Sequence, residues 1–274
     1  MAAPRRPSRV DVAGQDGVTV LDRRDVDLAR GARGFRLDLR RLSPAAVRDL
    51  LLVGLTFSSG AIDAISFLAL GKVFTAFMTG NLVFLGLGLA DADGPDVVRV
   101  AVSLACFAGG VLAAGRIVGQ PKPSSPWTRR VSVALGIAVL AQAAFLAGWL
   151  ATSGRPATIA GDLLVSFYAA AMGLQSGAIF SLGVKGVFTT AATATVIVLA
   201  TDVADPREAA AERRRLAGVL LGLVAGAAAG GALLVHAHAL APIVPLVATV
   251  LVIAVASVAL RTPDSRESRP RPRA

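Results

Sequence analysis

An all-α polytopic transmembrane helix bundle is the fold class this chain predicts, and three observations predict it. Apolar residues make up 54% of the 274 residues while charged ones make up 17%, well below the quarter typical of soluble domains. The charges are also segregated: eleven of the 28 Lys and Arg lie in residues 1–48 and five in 261–273. Between those tails run repeated apolar stretches near the roughly 20 residues a helix needs to cross a bilayer core.

The elements follow in order. Residues 1–43 form a basic tail rich in Arg, Asp, Gly and Pro, with the composition of a disordered segment, and Ser43-Pro44 reads as a helix N-cap with proline in the first turn. A membrane domain is expected over 44–261, with apolar segments near 46–70, 73–90, 97–119, 131–151, 161–183, 187–203, 214–236 and 240–260. A second basic tail occupies 262–274. The first 48 residues are charged where a cleaved signal would place its apolar stretch, so no cleaved signal is expected.

Segments 73–90 and 187–203 are short and alike. Val73, Phe74, Thr75, Thr79, Leu85, Ala90 and Asp91 recur as Val187, Phe188, Thr189, Thr193, Leu199, Ala204 and Asp205. The spacing predicts an internal repeat of 114 residues, with one copy near 46–151 and the other near 161–260. Two topologies are open: eight full spans, or six spans plus two re-entrant or broken segments at 73–90 and 187–203. Loop charge favours the second, because it gathers Lys122, Arg129, Arg130, Arg207, Arg213 to Arg215 and both basic tails on one side, with the acidic 91–96 loop opposite. Both termini are then cytoplasmic, and the halves become inverted, a recurring transporter design.

The net charge of +10 raises nucleic acid as a partner, but the excess flanks apolar spans, so the bilayer and anionic lipid headgroups are the expected partners. Cys106 has no second cysteine to pair with and reads as a small buried hydrophobe. His236 and His238, two apart, point away from each other on a helix and make no metal pair. Without a nucleophile elbow, P-loop, HExxH or CxxC, the chain offers no enzyme motif, cofactor or metal.

Four groups of residues carry the functional reading. Gly80 and Asn81 are poor helix formers, and a break there frees backbone groups that lipid cannot satisfy. Thr75 and Thr79, one turn apart, add hydroxyls. The bland alternative is that the threonines bond back to helix carbonyls and Gly80 permits close packing. Asp63 lies inside the first apolar segment, where a carboxylate costs about 2.5–3.5 kcal/mol; it reads as a coupling group or as a neutral structural carboxyl. Gln175, Thr189 and Thr193 are the second copy's counterparts and would form the facing wall of a solute pathway. Gly218, Gly222, Gly226 and Gly230 form a stripe that suits close packing, within the chain or in a homo-oligomer.

The runs GAIDAISFLALGKVFTAFMTGNLVFLGLGLA at 60–90 and GLQSGAIFSLGVKGVFTTAATATVIVLATDVA at 173–204 resemble the two signatures of the YoaK-like bacterial membrane proteins. The resemblance covers about 45–260 and implies a multi-span inner-membrane protein, with no substrate attached. That family's usual Asn near Ser176 and Gly near Ala194 are absent here, which makes a site between the halves asymmetric. The expectation is a secondary transporter or permease for a small solute, with a non-transporting scaffold or sensor acting through the basic tails as the alternative.

Overall fold

A computed structural model describes residues 43–119, 127–183 and 206–260 of the chain. Seven α-helices lie in these residues: α1 Pro44–Ala69, α2 Met78–Leu89, α3 Val97–Val118, α4 Arg129–Ala151, α5 Thr158–Phe180, α6 Pro206–His236 and α7 Ile243–Ala259. A short 3₁₀ turn, His238–Leu240, joins α6 to α7. Six of the helical segments are long and apolar enough to cross a membrane, and α2 is not among them.

Local sequence sets the ends. Ser43 Oγ accepts from the Ala46 amide at 3.2 Å and Pro44 opens α1, as the Ser-Pro pair predicts. Asp96 caps α3 by accepting from the Arg99 amide at 2.9 Å. Helix α1 closes with a Schellman turn, in which Lys72 N–H reaches the Phe67 carbonyl at 3.1 Å and Gly71 takes a left-handed φ of 87°. Lys72 follows at φ 62°, and the two residues turn the chain back into the bundle.

Side-chain bonds between helix ends define the two faces of the bundle. Arg99, at the start of α3, donates to the Leu70 carbonyl at the end of α1 and to the Thr158 carbonyl at the start of α5, each at 3.1 Å. Trp149, at the end of α4, donates through Nε1 to the His238 carbonyl between α6 and α7 at 3.2 Å. The Leu70, Trp149, Thr158 and His238 ends therefore share one face, and Ser43, Val118, Arg129 and Leu260 lie toward the other.

The expected segment 73–90 is not a span. Residues 73–77 are non-helical, and α2, at 12 residues, rises only about 18 Å against a core of about 30 Å. Asn81 near its start touches Ser103, two turns into α3, whereas Gly88 near its end packs so tightly on Val97 that a Cβ would overlap Cγ2. Helix α2 thus starts within the bundle and climbs back to the Leu70 face. The segment is re-entrant. Its counterpart, 187–203, lies outside the described residues.

Helix α1 packs along α6 and lies beside α7; α5 packs along α3 and lies beside α4. The two trios meet where α4 touches α7 and α1 touches α5. Glycines allow the long contacts: a Cβ on Gly226 would overlap the Phe57 carbonyl oxygen, and one on Gly173 would overlap that of Phe107. Tyr168, Phe145 and Trp149 fill the core between α4 and α5, fully buried, with the Phe145 and Tyr168 rings stacked at 3.4 Å.

Candidate functional site

Asp63 stands six residues before the end of α1, about 9 Å from the Leu70 end along the axis. Its Oδ1 accepts from the backbone amides of Thr75 at 2.9 Å and Ala76 at 2.8 Å. The carboxyl group therefore satisfies two amides of the non-helical loop just before α2. Among the described residues its hydrogen-bond partners are backbone amides, and Lys72, the nearest cation in sequence, is exposed at the turn. Asp63 itself is only partly buried. The Thr75 hydroxyl is fully buried beside that carboxylate without reaching hydrogen-bond geometry.

Asn81 holds the other end of the same non-helical segment. Its Oδ1 accepts from the Phe74 amide at 3.1 Å, and its Nδ2 donates to the Phe74 carbonyl at 2.6 Å. Ser103 Oγ donates to that carbonyl at 2.7 Å and accepts from Asn81 Nδ2 at 3.2 Å. Asn81 and Ser103 are fully buried. Each backbone group freed at Phe74, Thr75 and Ala76 N–H thus finds a side-chain partner, as non-helical chain at membrane depth requires.

Gly80 serves the aromatic packing around this segment. A Cβ there would come 2.7 Å from the Phe77 ring and 3.0 Å from that of Phe74. Phe74 in turn stacks on Phe67 with centroids 5.0 Å apart and meets Phe77 edge-on at 5.2 Å. Thr79 faces away and is exposed.

The structure thus gathers Asp63, Thr75, Gly80 and Asn81 around one loop, while Gln175 sits elsewhere. Its Nε2 donates to the Leu55 carbonyl at 3.2 Å, eight residues before Asp63 and so about 12 Å further along α1. There it ties α5 to α1 across the two trios. Thr189 and Thr193 lie outside the described residues. Gly218, Gly222, Gly226 and Gly230 face Val53, Phe57 and Ala61 of α1, so the stripe is occupied within the chain.

Three polar groups escaped the sequence reading. Ser103 was one hydroxyl in an apolar helix, with nothing to mark it. Ser58, Gln142 and Thr249 form a buried knot: Thr249 Oγ1 lies 3.0 Å from Ser58 Oγ and accepts from Gln142 Nε2 at 3.2 Å, bridging α1, α4 and α7. Arg99 and Asp162 pair at 2.6 Å; each stands near a helix start, where a charge reads as an interfacial residue.

The family model described as "Protein of unknown function (DUF1275)" matches residues 51–256. Over 162 residues the chain is 33% identical to the UPF0700 transmembrane protein YoaK of Bacillus subtilis (strain 168), covering 59% of this chain and 70% of that protein. No solved structure matches the chain. The family match spans α1 to α7 and takes in Asp63, the re-entrant loop and Asn81, so this multi-pass membrane protein belongs to the DUF1275 family.

Proposed function

We propose that the protein is a secondary transporter or permease for a small solute, with its pathway between the two helix trios and Asp63 as the coupling group. The observation that carries the reading is Asp63 itself. It is a carboxyl group at membrane depth, bonded to the loop amides that lead into a half-helix. Intramembrane carboxylates so placed are expensive and are characteristic of ion and solute pathways.

Packing supports two inverted halves, α1 to α4 and the remainder. Exchanging α1 with α5, α3 with α6 and α4 with α7 leaves the helix pairings unchanged. In this reading the Ser43 face is cytoplasmic in a bacterial inner membrane, since Ser43 and Leu260, next to which the basic tails begin in sequence, lie toward it with Arg213 to Arg215. The tails then lie against anionic headgroups.

Purified protein in liposomes, offered a broad solute panel under proton and sodium gradients, should move at least one solute in a gradient-dependent way. No movement of any solute under either gradient would reject the transporter reading.

A scaffold or sensor is the second reading. It draws support from Asn81, whose amide spends its bonds on Phe74 and Ser103 and so serves the fold. It predicts that Asp63→Asn leaves cellular function intact while removal of residues 1–40 abolishes it.

A further inference from the structure

Arg99 does more than pair with Asp162. Its Nε meets Asp162 Oδ1 at 2.6 Å, Nη2 donates to the Thr158 carbonyl and Nη1 to the Leu70 carbonyl, each at 3.1 Å. The first two bonds stay within the trio of α3, α4 and α5, and they fix the guanidinium in place. The third crosses to the trio of α1, α6 and α7. It holds the residue at which α1 ends and the chain turns into the re-entrant loop. The neighbouring glycines leave room for it: a Cβ on Gly71 would lie 2.7 Å from Nη1, and one on Gly161 3.1 Å from Nη2. The side chains of Arg99 and Asp162 are only 14% and 27% exposed, so the pair is screened less than a surface one.

The opposite face carries charged residues that stay within the trio of α1, α6 and α7. Gly218 of α6 packs on Val53 of α1. Asp49 stands four residues before Val53 and Arg215 three before Gly218, which places both one turn away on the facing sides of those helices. Their side chains are 30% and 15% exposed, with Arg48 3.6 Å from Asp49 and Glu212 3.4 Å from Arg215.

We propose that Arg99, anchored by Asp162, is a latch that holds the two trios together at the Leu70 face. Opening that face requires Arg99 to release the Leu70 carbonyl, which frees the loop carrying Thr75 and Ala76 and opens Asp63 to that side. The inference rests on the transporter reading for its purpose and on the Arg99 geometry for its substance.

The test uses full-length protein with Cys106→Ser and a reporter cysteine at Val73, fully buried beneath the latch. An impermeant thiol reagent is applied from the Leu70 face. Arg99→Gln is expected to raise the labelling rate at least tenfold, and Asp162→Ala, which removes only the anchor, to raise it less. Arg215→Gln should leave it at or below the parent rate. Melting temperatures identify any variant that is merely unfolded, and Asp162→Ala then carries the test. Unchanged labelling in folded Arg99→Gln or Asp162→Ala overturns the latch, as does an equal rise in Arg215→Gln, which would mean general loosening. No solute enters the assay, so failed uptake leaves the latch standing, and unchanged labelling removes it without touching the transporter reading.

Discussion

Asn81 pairs with both backbone groups of Phe74, accepting the amide at 3.1 Å and donating to the carbonyl at 2.6 Å. The side chain so replaces the missing partner strand for one residue of non-helical chain. Asn81→Ala strands the Phe74 amide, while the carbonyl keeps its bond from Ser103. An orphaned buried group costs about 1–3 kcal/mol, and thermal melts in detergent should show that loss. Asn81→Asp keeps the acceptor but places an anion against the Phe74 carbonyl, so it should be at least as damaging. A neutral Asn81→Asp would refute the role of the amide donor.

Asp63 combines a structural bond with a charge, and the two can be separated. Asparagine retains Oδ1 to accept from Thr75 and Ala76, so Asp63→Asn should fold within about 1 kcal/mol of the parent, the scale of one hydrogen bond. Asp63→Ala should lose about twice that or more, having removed the acceptor from two buried amides. Gradient-dependent uptake should vanish in both. Uptake that survives in Asp63→Asn with its ion dependence intact would remove Asp63 from the coupling role.

Much of this arrangement was legible in the residues. The six long spans follow from hydropathy and length, because lipid-exposed backbone must bond to itself. The Asp63 and Asn81 loop was visible as polar, helix-breaking sequence at membrane depth. What periodicity could not supply was the pairing. Thr79 and Thr75 read as one face of a helix, but the helix starts only at Met78, so Thr75 is buried in the loop and Thr79 is exposed. Gln175 read as the far wall of a site with Asp63, yet its bond to Leu55 sets it a few turns away, a distance fixed by how α5 crosses α1. Ser103, Gln142 and Thr249 were single polar residues in apolar helices, and their function as partners exists only once the helices are packed.

The glycine stripe makes a sharp stability prediction. A Cβ on Gly226 would overlap the Phe57 carbonyl oxygen, while one on Gly231 meets nothing nearer than Leu68 Cδ1 at 3.7 Å. Gly226→Ala should therefore push α6 off α1 and cost about 1–3 kcal/mol, the usual range for overpacking. Gly231→Ala should be neutral or slightly stabilising, since alanine is the better helix former by about 1 kcal/mol. Equal melting temperatures for the two variants would contradict the α1–α6 contact.

Topology gives the most direct check. The bonds of Arg99 to Leu70 and Thr158, and the close contact of Gly88 with Val97, put the 91–96 loop on the face where α1 ends. Helices α3 and α4 meet at the opposite face, between Val118 and Arg129. Eight full spans would place these two loops the other way round for the same cytoplasmic N-terminus. In cells expressing the Cys106→Ser chain, a cysteine at Ala92 should react with an impermeant thiol reagent and one at Ser124 should not. Permeabilised cells should label both, which excludes a buried cysteine as the cause of silence. The reverse pattern would mean that α2 belongs to a crossing segment. The charge argument for a cytoplasmic Ser43 face and the inverted arrangement of the halves would then both fall.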